Sequence, residues 1–213
     1  MKLAVIIPVY NAENTIRKAV KSIDTTHDVE IICINDGSTD RTKQVLTELQ
    51  KEVKHLIVYH QDNQGAAKSR NMGLSAMSDD IDAFMFLDAD DQFLPGKMDQ
   101  MIQYYEKNEH LDIVIGQIGR GLNGDWKVIP THEDIHREAI VSLAEAPEIL
   151  QSIGPGGKLF KAKFNTLRFD EDVVFCEEHT FVTRAYLMAR DIQLVPFIVY
   201  GYNDREGSIT DQR

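Results

Sequence analysis

The chain has 213 residues, enough for one sizeable domain or one domain with a small appendage. Its net charge of −11 argues against a nucleic-acid binder, which needs a basic face for phosphates. No run approaches the roughly 20 apolar residues of a membrane span, and the two cysteines, Cys33 and Cys176, have neither disulfide-framework nor zinc-site spacing, so we expect a reduced, cytoplasmic setting, with Cys33 in the core.

Strand-like and helix-like segments alternate through the first half of the chain. Continuous apolar runs predict buried strands at residues 3–7, 30–34, 55–59, 83–87 and 111–118. Apolar residues at helical spacing predict helices at about 16–23, 45–49 and 65–77, and another after Pro95-Gly96. Ser38 or Thr39 is expected to cap the second helix. This order predicts an α/β fold with a mostly parallel central sheet flanked by helices.

The second half is less regular. Residues 119–157 are rich in Gly, His and Pro and predict loops with one short helix around 142–151. A helix at about 177–190 and a strand at about 192–200 follow. The pattern Gly119-x-Gly121-x-x-Gly124 spells a dinucleotide-binding fingerprint, but no helical pattern follows it, which favours a turn between extended segments.

Three carboxylates, Asp88, Asp90 and Asp91, lie within four residues directly after the strand at 83–87. Carboxylates crowded in this way repel one another unless a cation or bound protons compensate. Mg²⁺ or Mn²⁺, held by one or two of them and completed by substrate phosphates and water, fits the arrangement. An acidic turn that caps the next helix is an equally good interpretation of these residues alone.

Two further segments are expected at the same edge of the sheet, because α/β folds bind ligands at the carboxyl ends of their strands. Asp36 follows the second strand and can accept hydrogen bonds from a nucleobase or a ribose. Its neighbours Thr39 and Asp40 are expected to be structural, in a turn and a helix cap. Arg70, about one turn into the third predicted helix, can reach a diphosphate as a planar donor, although a helical arginine is usually just solvated.

Glu177 and Glu178 open the predicted helix at 177–190. Acids at this position are often partners of the helix dipole. One of them, partly buried beside a bound donor, could instead act as a general base. For Trp126, the single tryptophan, packing is the favoured interpretation and stacking on a sugar ring is the alternative.

Together these segments resemble the family-2 glycosyltransferases, whose fold is the single-domain GT-A type. The family's motifs appear in order as VIIPVYNAE, INDGSTD, NQGAAKSRN, FLDADDQFLPG, CEEHTF and YGYNDREGSIT, between Val5 and Thr210. Six motifs in the right order are far more specific than any one of them. The resemblance implies one GT-A domain over residues 1–213, with a nucleotide-sugar- and metal-binding half at 1–118 and an acceptor-binding half at 119–213.

The resemblance also implies a donor site to which all of these segments contribute. Its nucleotide-sugar-binding residues would be Pro8, Tyr10, Glu13, Asp36, Asn63, Gly65, Arg70, Asp88, Ala89, Arg205 and Ser208. Asp90, together with Asp88, would hold Mn²⁺ or Mg²⁺. Arg205 and Ser208 match a loop that closes over the diphosphate in some members of the family.

For the chemistry, the resemblance implies inverting transfer of a sugar from a nucleoside diphosphate, most often UDP, to an acceptor hydroxyl. The family's base is normally the aspartate of a Glu-Asp motif, and Glu178 stands at that position here. Its extra methylene would displace the carboxylate by about 1 Å, so Glu177 is kept as a second candidate. Lys158 and Trp126 would lie on the acceptor side.

Members that look like this often build surface polysaccharides, teichoic acids or glycolipids. A glycan, polyol or lipid-linked acceptor is therefore expected, with peripheral association at the inner face of the membrane. Two other functions stay open from the sequence. A nucleotidyltransferase also pairs a nucleotide with a metal-bound acid, although it usually opens with a Gly-rich loop where this chain has PVYNAEN. The other is a nucleotide-sugar-binding module with a decayed Glu-Asp motif.

Overall fold

A computed structural model describes residues 1–122, 124–173 and 176–203 of the chain, apart from the side chains of Leu122 and Glu177. Within these ranges one sheet carries all of the strands. They are β1 (Lys2–Val9), β2 (Asp28–Asp36), β3 (Leu56–Gln61), β4 (Ala83–Phe86), β5 (Gln92–Phe93), β6 (Ile113–Leu122), β7 (Asp125–Val128), β8 (Ala139–Val141), β9 (Lys158–Lys161) and β10 (Ile192–Asn203).

The α-helices connect and cover these strands. They are α1 (Ile16–Lys21), α2 (Thr42–Glu52), α3 (Ala66–Ala76), α4 (Lys97–Lys107) and α5 (Glu177–Met188). Short 3-10 helices lie at Pro130–His132, Pro147–Gln151 and Ala162–Thr166. In the described part of the chain, no helix is both long and apolar enough to cross a membrane.

The main path of the sheet runs in the order β3-β2-β1-β4-β9-β6-β10-β5, with β7 beside β6 and β8 beside β10. β3, β2, β1 and β4 are parallel, as are β6 and β10. β9 is antiparallel to both of its neighbours, β4 and β6. The α/β class is confirmed, but the sheet is mixed rather than mostly parallel.

Helices cover both faces of the sheet, so the core has two layers. On one face α1, α2 and α4 contribute buried residues that include Ile16, Leu46 and Met101. On the other face α3 and α5 contribute Leu74 and Phe181, among others. Cys33 is fully buried in the first layer, as expected. A sheet buried on both faces explains why its central strands read as continuous apolar runs.

α3 lies unusually close to β1. A Cβ atom added at Gly73 would lie 2.3 Å from Ile6 Cγ2, so only glycine fits at this crossing. The close approach fixes the height of α3 over the sheet. It brings the first turns of the helix, with Arg70 and Asn71, to the edge where β1, β2 and β4 end.

Two predicted details differ in the structure. α2 begins at Thr42, whose N–H is bound at 2.9 Å by Asp40 Oδ1, so Asp40 serves the start of the helix. Ser38, one of the two predicted caps, instead accepts a hydrogen bond from the backbone of Asn11. The short helix expected around 142–151 is reduced to the 3-10 helix Pro147–Gln151, because residues 142–146 form a turn.

Candidate active site

A cleft of about 230 Å³ opens at the carboxyl ends of β1, β2 and β4, beside the first turns of α3. This is the edge at which α/β folds bind their ligands. Most of the predicted donor and metal residues meet there. Those that line the cleft are Pro8, Tyr10, Asp36, Arg70, Asp88, Ala89 and Asp90.

A larger cavity, of about 660 Å³, lies along the outer side of α3 and is lined in part by Lys68, Arg168 and Arg184. Among the residues that the structure describes, its lining includes none of the predicted donor or metal residues. We assign the site to the smaller cleft because its carboxylates and its arginine supply the chemistry that a metal-bound diphosphate requires.

Arg70 enters the cleft from α3 with its orientation already fixed. The side chain is only 6% exposed, and Nη2 donates a 2.9 Å hydrogen bond to Asp88 Oδ1. The guanidinium carbon lies 5.4 Å from the centre of the Phe169 ring. A guanidinium held over an aromatic ring is a planar cation of the kind that recognises phosphate oxygens.

Asp36 is 4% exposed and holds the loop that leads into α3. Its carboxylate accepts hydrogen bonds from the backbone N–H groups of Gln64 and Gly65, both at 2.8 Å, and from Gln61 Nε2 at 2.7 Å. A carboxylate has about four acceptor positions. Three are therefore used to shape the wall of the cleft, which leaves one for a ligand.

Asn63, Gly65 and Glu13 do not line the cleft, within the part of the chain that the structure describes. Asn63 packs its backbone against Gly37, where an added Cβ would lie 2.7 Å from Asn63 N. Gly37 and Gly65 have positive φ, of 68° and 93°. The Glu13 carboxylate accepts the N–H of Arg41 at 2.9 Å. These residues therefore build the loops around the cleft.

The acidic turn after β4 divides its carboxylates between two directions. Asp88 and Asp90 line the cleft, whereas Asp91 is 1% exposed and points into the protein. Burial and the charges of Asp88 and Asp90 raise the pKa of Asp91 to about 8. The residues alone do not distinguish the three acids, whereas the family resemblance singles out Asp88 and Asp90, the two that line the cleft.

The pair Asp88 and Asp90 fits a divalent ion that takes its other ligands from a substrate. Over the described ranges, no group of three or more His, Cys, Asp or Glu side chains could hold a metal by itself. Mg²⁺ and Mn²⁺ sites built with one or two carboxylates, phosphate oxygens and water do not need such a group. The donor set is therefore of the kind that binds a metal together with a diphosphate.

Glu178 lies in the first turn of α5 and its side chain is half-buried. α5 is anchored by Phe181, whose ring stacks on Phe169 at 4.3 Å between centroids and an angle of 2°. Because Phe169 also lies under Arg70, the aromatic stack joins the helix of Glu178 to the donor cleft. The side chain of Glu177 and the residues Arg205 and Ser208 lie outside the described residues.

Asn71, which the sequence did not single out, clamps the segment that precedes α5. Its Nδ2 donates to Phe169 O at 3.0 Å and to Glu171 Oε1 at 2.9 Å, and its Oδ1 accepts the N–H of Phe169 at 2.8 Å. The only signal in the sequence was the Arg-Asn pair inside NQGAAKSRN. Arg70 and Asn71 thus both contact Phe169, one at its ring and the other at its backbone.

Lys158 was predicted to lie on the acceptor side of the site, but the structure buries it. Its side chain is completely buried, and Nζ donates to Ser152 Oγ at 2.7 Å and to Gly154 O at 2.5 Å. Burial lowers the pKa of Lys158 to about 7. An ammonium group enclosed in this way holds the loop at 152–157 and does not meet an acceptor directly, which explains why a lysine occurs in the buried strand β9.

The hydroxyl of Ser152 continues this buried network. Ile118 N–H donates to His132 Nδ1 at 3.2 Å, which places the proton of the neutral ring on Nε2, 2.9 Å from Ser152 Oγ. Burial and the nearby Lys158 charge lower the pKa of His132 to about 3, so this histidine is neutral near pH 7. The network ties the loop at 152–157 to β6 and to the 3-10 helix Pro130–His132.

Trp126 lies against glycines to which the sequence alone assigns no role. A Cβ atom added at Gly201 would lie 2.7 Å from Trp126 Cη2, and one at Gly119 would lie 3.0 Å from Trp126 Cβ. Gly201 therefore makes room for the indole, and Gly119 makes room for Trp126 Cβ and for Ile198. Trp126 also lines a cavity of about 760 Å³ beside Gln92, two residues beyond Asp90.

Comparisons with known proteins agree with this geometry. Residues 4–175 match the family described as Glycosyl transferase family 2. TagX of Staphylococcus aureus, which is named as a glycosyltransferase, is 38% identical over 208 residues, or 96% of this chain and 59% of TagX. A poly(ribitol-phosphate) beta-glucosyltransferase of Bacillus spizizenii is 28% identical over 95% of this chain and 32% of its own length.

Solved structures show the same fold. The structure of S. aureus TarS 1-349 in complex with UDP-GlcNAc superposes with a TM-score of 0.85 at 24% identity, and covers 100% of this chain and 61% of that one. The complex with UDP superposes with a TM-score of 0.82 at 23% identity, over 96% and 61% of the two chains. The chain thus spans about 59% of the length of TagX and a similar share of the TarS fragment.

Proposed function

The chain belongs to glycosyltransferase family 2, and from that premise we propose that it transfers a sugar from UDP to an acceptor hydroxyl with inversion. The observation that carries the proposal is the convergence of Arg70, Asp88 and Asp90 in one cleft at the carboxyl ends of the strands. Membership of this family favours transfer of a sugar over transfer of a nucleotide.

The donor would lie along the cleft from Tyr10 to Asp90. Tyr10 is 51% exposed at the mouth, where its ring can cover a nucleobase, and Asp36 has one acceptor position left for the base or ribose. Arg70 would donate to the diphosphate from its position over Phe169. The choice of UDP is supported by the similar structure of TarS, which is a complex with UDP-GlcNAc.

Asp90 and Asp88 would hold Mn²⁺ or Mg²⁺. When bound, the ion offsets the negative charge that develops on the leaving diphosphate. Arg70 adds a second cation on the same side of the reacting centre. Its pairing with Asp88 keeps it oriented before the donor arrives, so little reorganisation is required at the moment of reaction.

Glu178 would act as the general base. It takes the proton of the acceptor hydroxyl while the acceptor oxygen bonds to the anomeric carbon and the bond from that carbon to the diphosphate oxygen breaks. One displacement at the anomeric carbon inverts its configuration. The half-buried position of Glu178 at the start of α5, on the helix anchored to Phe169, supports this role over a purely surface one.

The acceptor that we propose is a polyol or glycan chain of the teichoic-acid type. This is supported by the named relatives, one of which is a poly(ribitol-phosphate) glucosyltransferase. Trp126 would offer a flat apolar surface to a ring or polyol, since its indole is backed by glycine and borders a cavity next to the acidic turn. We place the reaction in the cytoplasm, with peripheral association at the inner face of the membrane.

One assay tests the proposal. The purified chain is incubated with individual UDP-sugars and Mn²⁺, and release of UDP is followed with water as the acceptor. Glu178→Ala should lower the rate by about 100-fold or more, since a general base contributes on the order of 10² to 10⁴, whereas Glu133→Ala, at an exposed glutamate, should not change it.

Three results would oppose the proposal. An unchanged rate in Glu178→Ala would remove Glu178 as the base. Metal-dependent UDP binding that survives in Asp90→Ala would show that the metal does not bind at the Asp-x-Asp pair. No binding of UDP to the wild-type chain in calorimetry, with or without Mn²⁺, would reject the donor assignment as a whole.

A further inference from the structure

The hydroxyl group of Tyr200 connects the end of β10 to both ends of the acidic turn. It accepts a hydrogen bond from the backbone N–H of Asp88 at 3.1 Å and donates one to Asp91 Oδ2 at 2.8 Å. Tyr200 and Asp91 are 3% and 1% exposed. A single buried hydroxyl therefore fixes the first and the last residue of the segment that carries Asp88 and Asp90.

Asn203 provides a second attachment three residues further along β10. Its N–H donates to Asp91 Oδ1 at 3.1 Å, and its Nδ2 donates to Asp90 O at 2.6 Å. Both carboxylate oxygens of Asp91 are thus used by β10. The Asp91 N–H closes the turn on itself by donating to Asp88 O at 3.1 Å.

The ring of Tyr200 has no room to move away from this position. It packs edge-on against Phe93, with 5.9 Å between centroids and an angle of 88°. On another side lies Gly156, where an added Cβ would be 3.1 Å from the ring. Because the ring is held by packing, the hydroxyl presents a fixed point to the turn.

Burying a carboxylate beside two other carboxylates costs free energy, and an ordinary turn does not require it. Asp91 is kept there with both oxygens bonded, while its two neighbours face the cleft. Carboxylates that bind a cation are typically oriented by hydrogen bonds from residues that do not touch it themselves. The arrangement of Tyr200 and Asp91 behind Asp88 and Asp90 has this form.

We propose that Tyr200 and Asp91 are positioning residues, which hold the backbone of the acidic turn so that Asp88 and Asp90 present their carboxylates to a metal-bound diphosphate. This inference rests on the proposed function. It assigns Asp91 to the support of the site and not to its ligands, and it gives a role to the first half of the motif YGYNDREGSIT.

Tyr200→Phe tests the proposal, because it removes the hydroxyl and keeps the ring. UDP binding is measured by calorimetry with Mn²⁺ and, separately, with a chelator. We expect the affinity with Mn²⁺ to fall by about 10- to 100-fold, the usual effect of losing a group that orients metal ligands. The affinity without metal should stay within about 2-fold of wild type, since the nucleoside end of the cleft does not depend on the turn.

Tyr186→Phe is the matched control. Tyr186 is 1% exposed and its hydroxyl donates to Ser152 O at 2.9 Å, so the variant also loses one buried tyrosine hydrogen bond, but on α5 and away from the acidic turn. Its binding of UDP with and without Mn²⁺ should match wild type. Melting curves of both variants compare their stability on the same scale.

Asp91→Asn is a second variant that keeps the volume of the side chain. The amide oxygen can accept one of the two hydrogen bonds, but the amide NH₂ group then faces the other donor, Tyr200 or Asn203. The variant should therefore show the same loss of UDP affinity in the presence of Mn²⁺. Wild-type affinity with Mn²⁺ in Tyr200→Phe and Asp91→Asn would overturn the inference. So would an equal loss with and without metal. Failure of the wild-type chain to bind UDP at all would instead reject the proposed function.

Discussion

Arg70 and Asp88 form an ion pair in the cleft at 2.9 Å between Nη2 and Oδ1, although they come from different structural elements, α3 and the turn after β4. The carboxylate is 42% exposed at its side chain and the guanidinium only 7%. Under the proposed function, a diphosphate would find the Arg70 side chain already oriented and would compete with the partly exposed Asp88 carboxylate for its hydrogen bonds. Preorganisation of this kind lowers the entropy that donor binding must offset.

Arg70→Lys should weaken UDP binding by about 10-fold or more, even though the charge is retained. Lysine cannot stack its ammonium as a plane on Phe169 or offer two parallel donors to phosphate oxygens. Calorimetry with Mn²⁺ measures the change. Arg190→Lys, at an exposed arginine beyond α5, is the control and should bind UDP like wild type; equal affinities in all three proteins would contradict the role of Arg70.

Asn71→Ala should destabilise the chain by about 2–4 kcal/mol, because the buried N–H and C=O of Phe169 would both lose their partner. Urea denaturation measures this loss. Asn108→Ala, which removes a bond to the backbone of His110 in a surface turn, should cost less than about 1 kcal/mol. If the two variants were equally stable, Asn71 would not be the clamp on the segment before α5.

From the burial of Lys158 we expect the free energy of unfolding to change with pH in one direction. Burial lowers its pKa from 10.5 to about 7, so between these values the unfolded chain binds a proton that the folded chain does not. The free energy of unfolding should therefore rise with pH across this window, by up to about 1.4 kcal/mol per pH unit relative to Lys158→Met. Below pH 7 the difference between the two proteins should stay constant.

Urea denaturation of both proteins at pH 6.5, 8 and 9.5 measures the difference. Titrating groups that do not interact with Lys158 contribute equally to both proteins and cancel in the difference, and His132, whose pKa is lowered by burial and by Lys158, is the group to check separately. A difference that does not change between pH 6.5 and 9.5 would show that the lysine keeps an ordinary pKa inside the fold.

Gly201→Ala should disturb Trp126, because the new Cβ would lie 2.7 Å from the indole. We expect a loss of about 1–3 kcal/mol from overpacking and a shift in the emission of Trp126, which is the only tryptophan and therefore reports without interference. Gly154→Ala places its Cβ in open space and is the control. Unchanged emission and stability in Gly201→Ala would mean that the indole does not rest on this glycine.

Much of the structure of residues 1–118 could be predicted because the sequence signals there are local. Apolar runs marked β1, β2, β4 and β6, and the residues that follow three of these strands had to share one edge of the sheet once the strands were parallel. The convergence of Asp36 and Asp88 at the cleft follows from that rule alone. The resemblance to one family is confirmed by the match of residues 4–175 to glycosyltransferase family 2.

The missed features depend on contacts between distant residues. β9 has the sequence Lys-Leu-Phe-Lys and looks like a surface segment, yet Lys158 is buried there because oxygens of Ser152 and Gly154 surround its ammonium. The inward direction of Asp91 depends on Tyr200, more than 100 positions away. Such contacts form only in the complete fold, and no periodic pattern in the sequence indicates them.

The antiparallel strand β9 also has a consequence for how the molecule comes together. β9 lies between β4 and β6 in the sheet. The strands β3, β2, β1 and β4 are therefore joined to β6 and β10 only when residues 158–161 have paired with both β4 and β6. Contacts of such long sequence separation form slowly, since their loops must close first. During synthesis, the acidic turn would leave the ribosome well before Tyr200, which bonds to both of its ends, so the cleft should be among the last parts of the protein to reach its final structure.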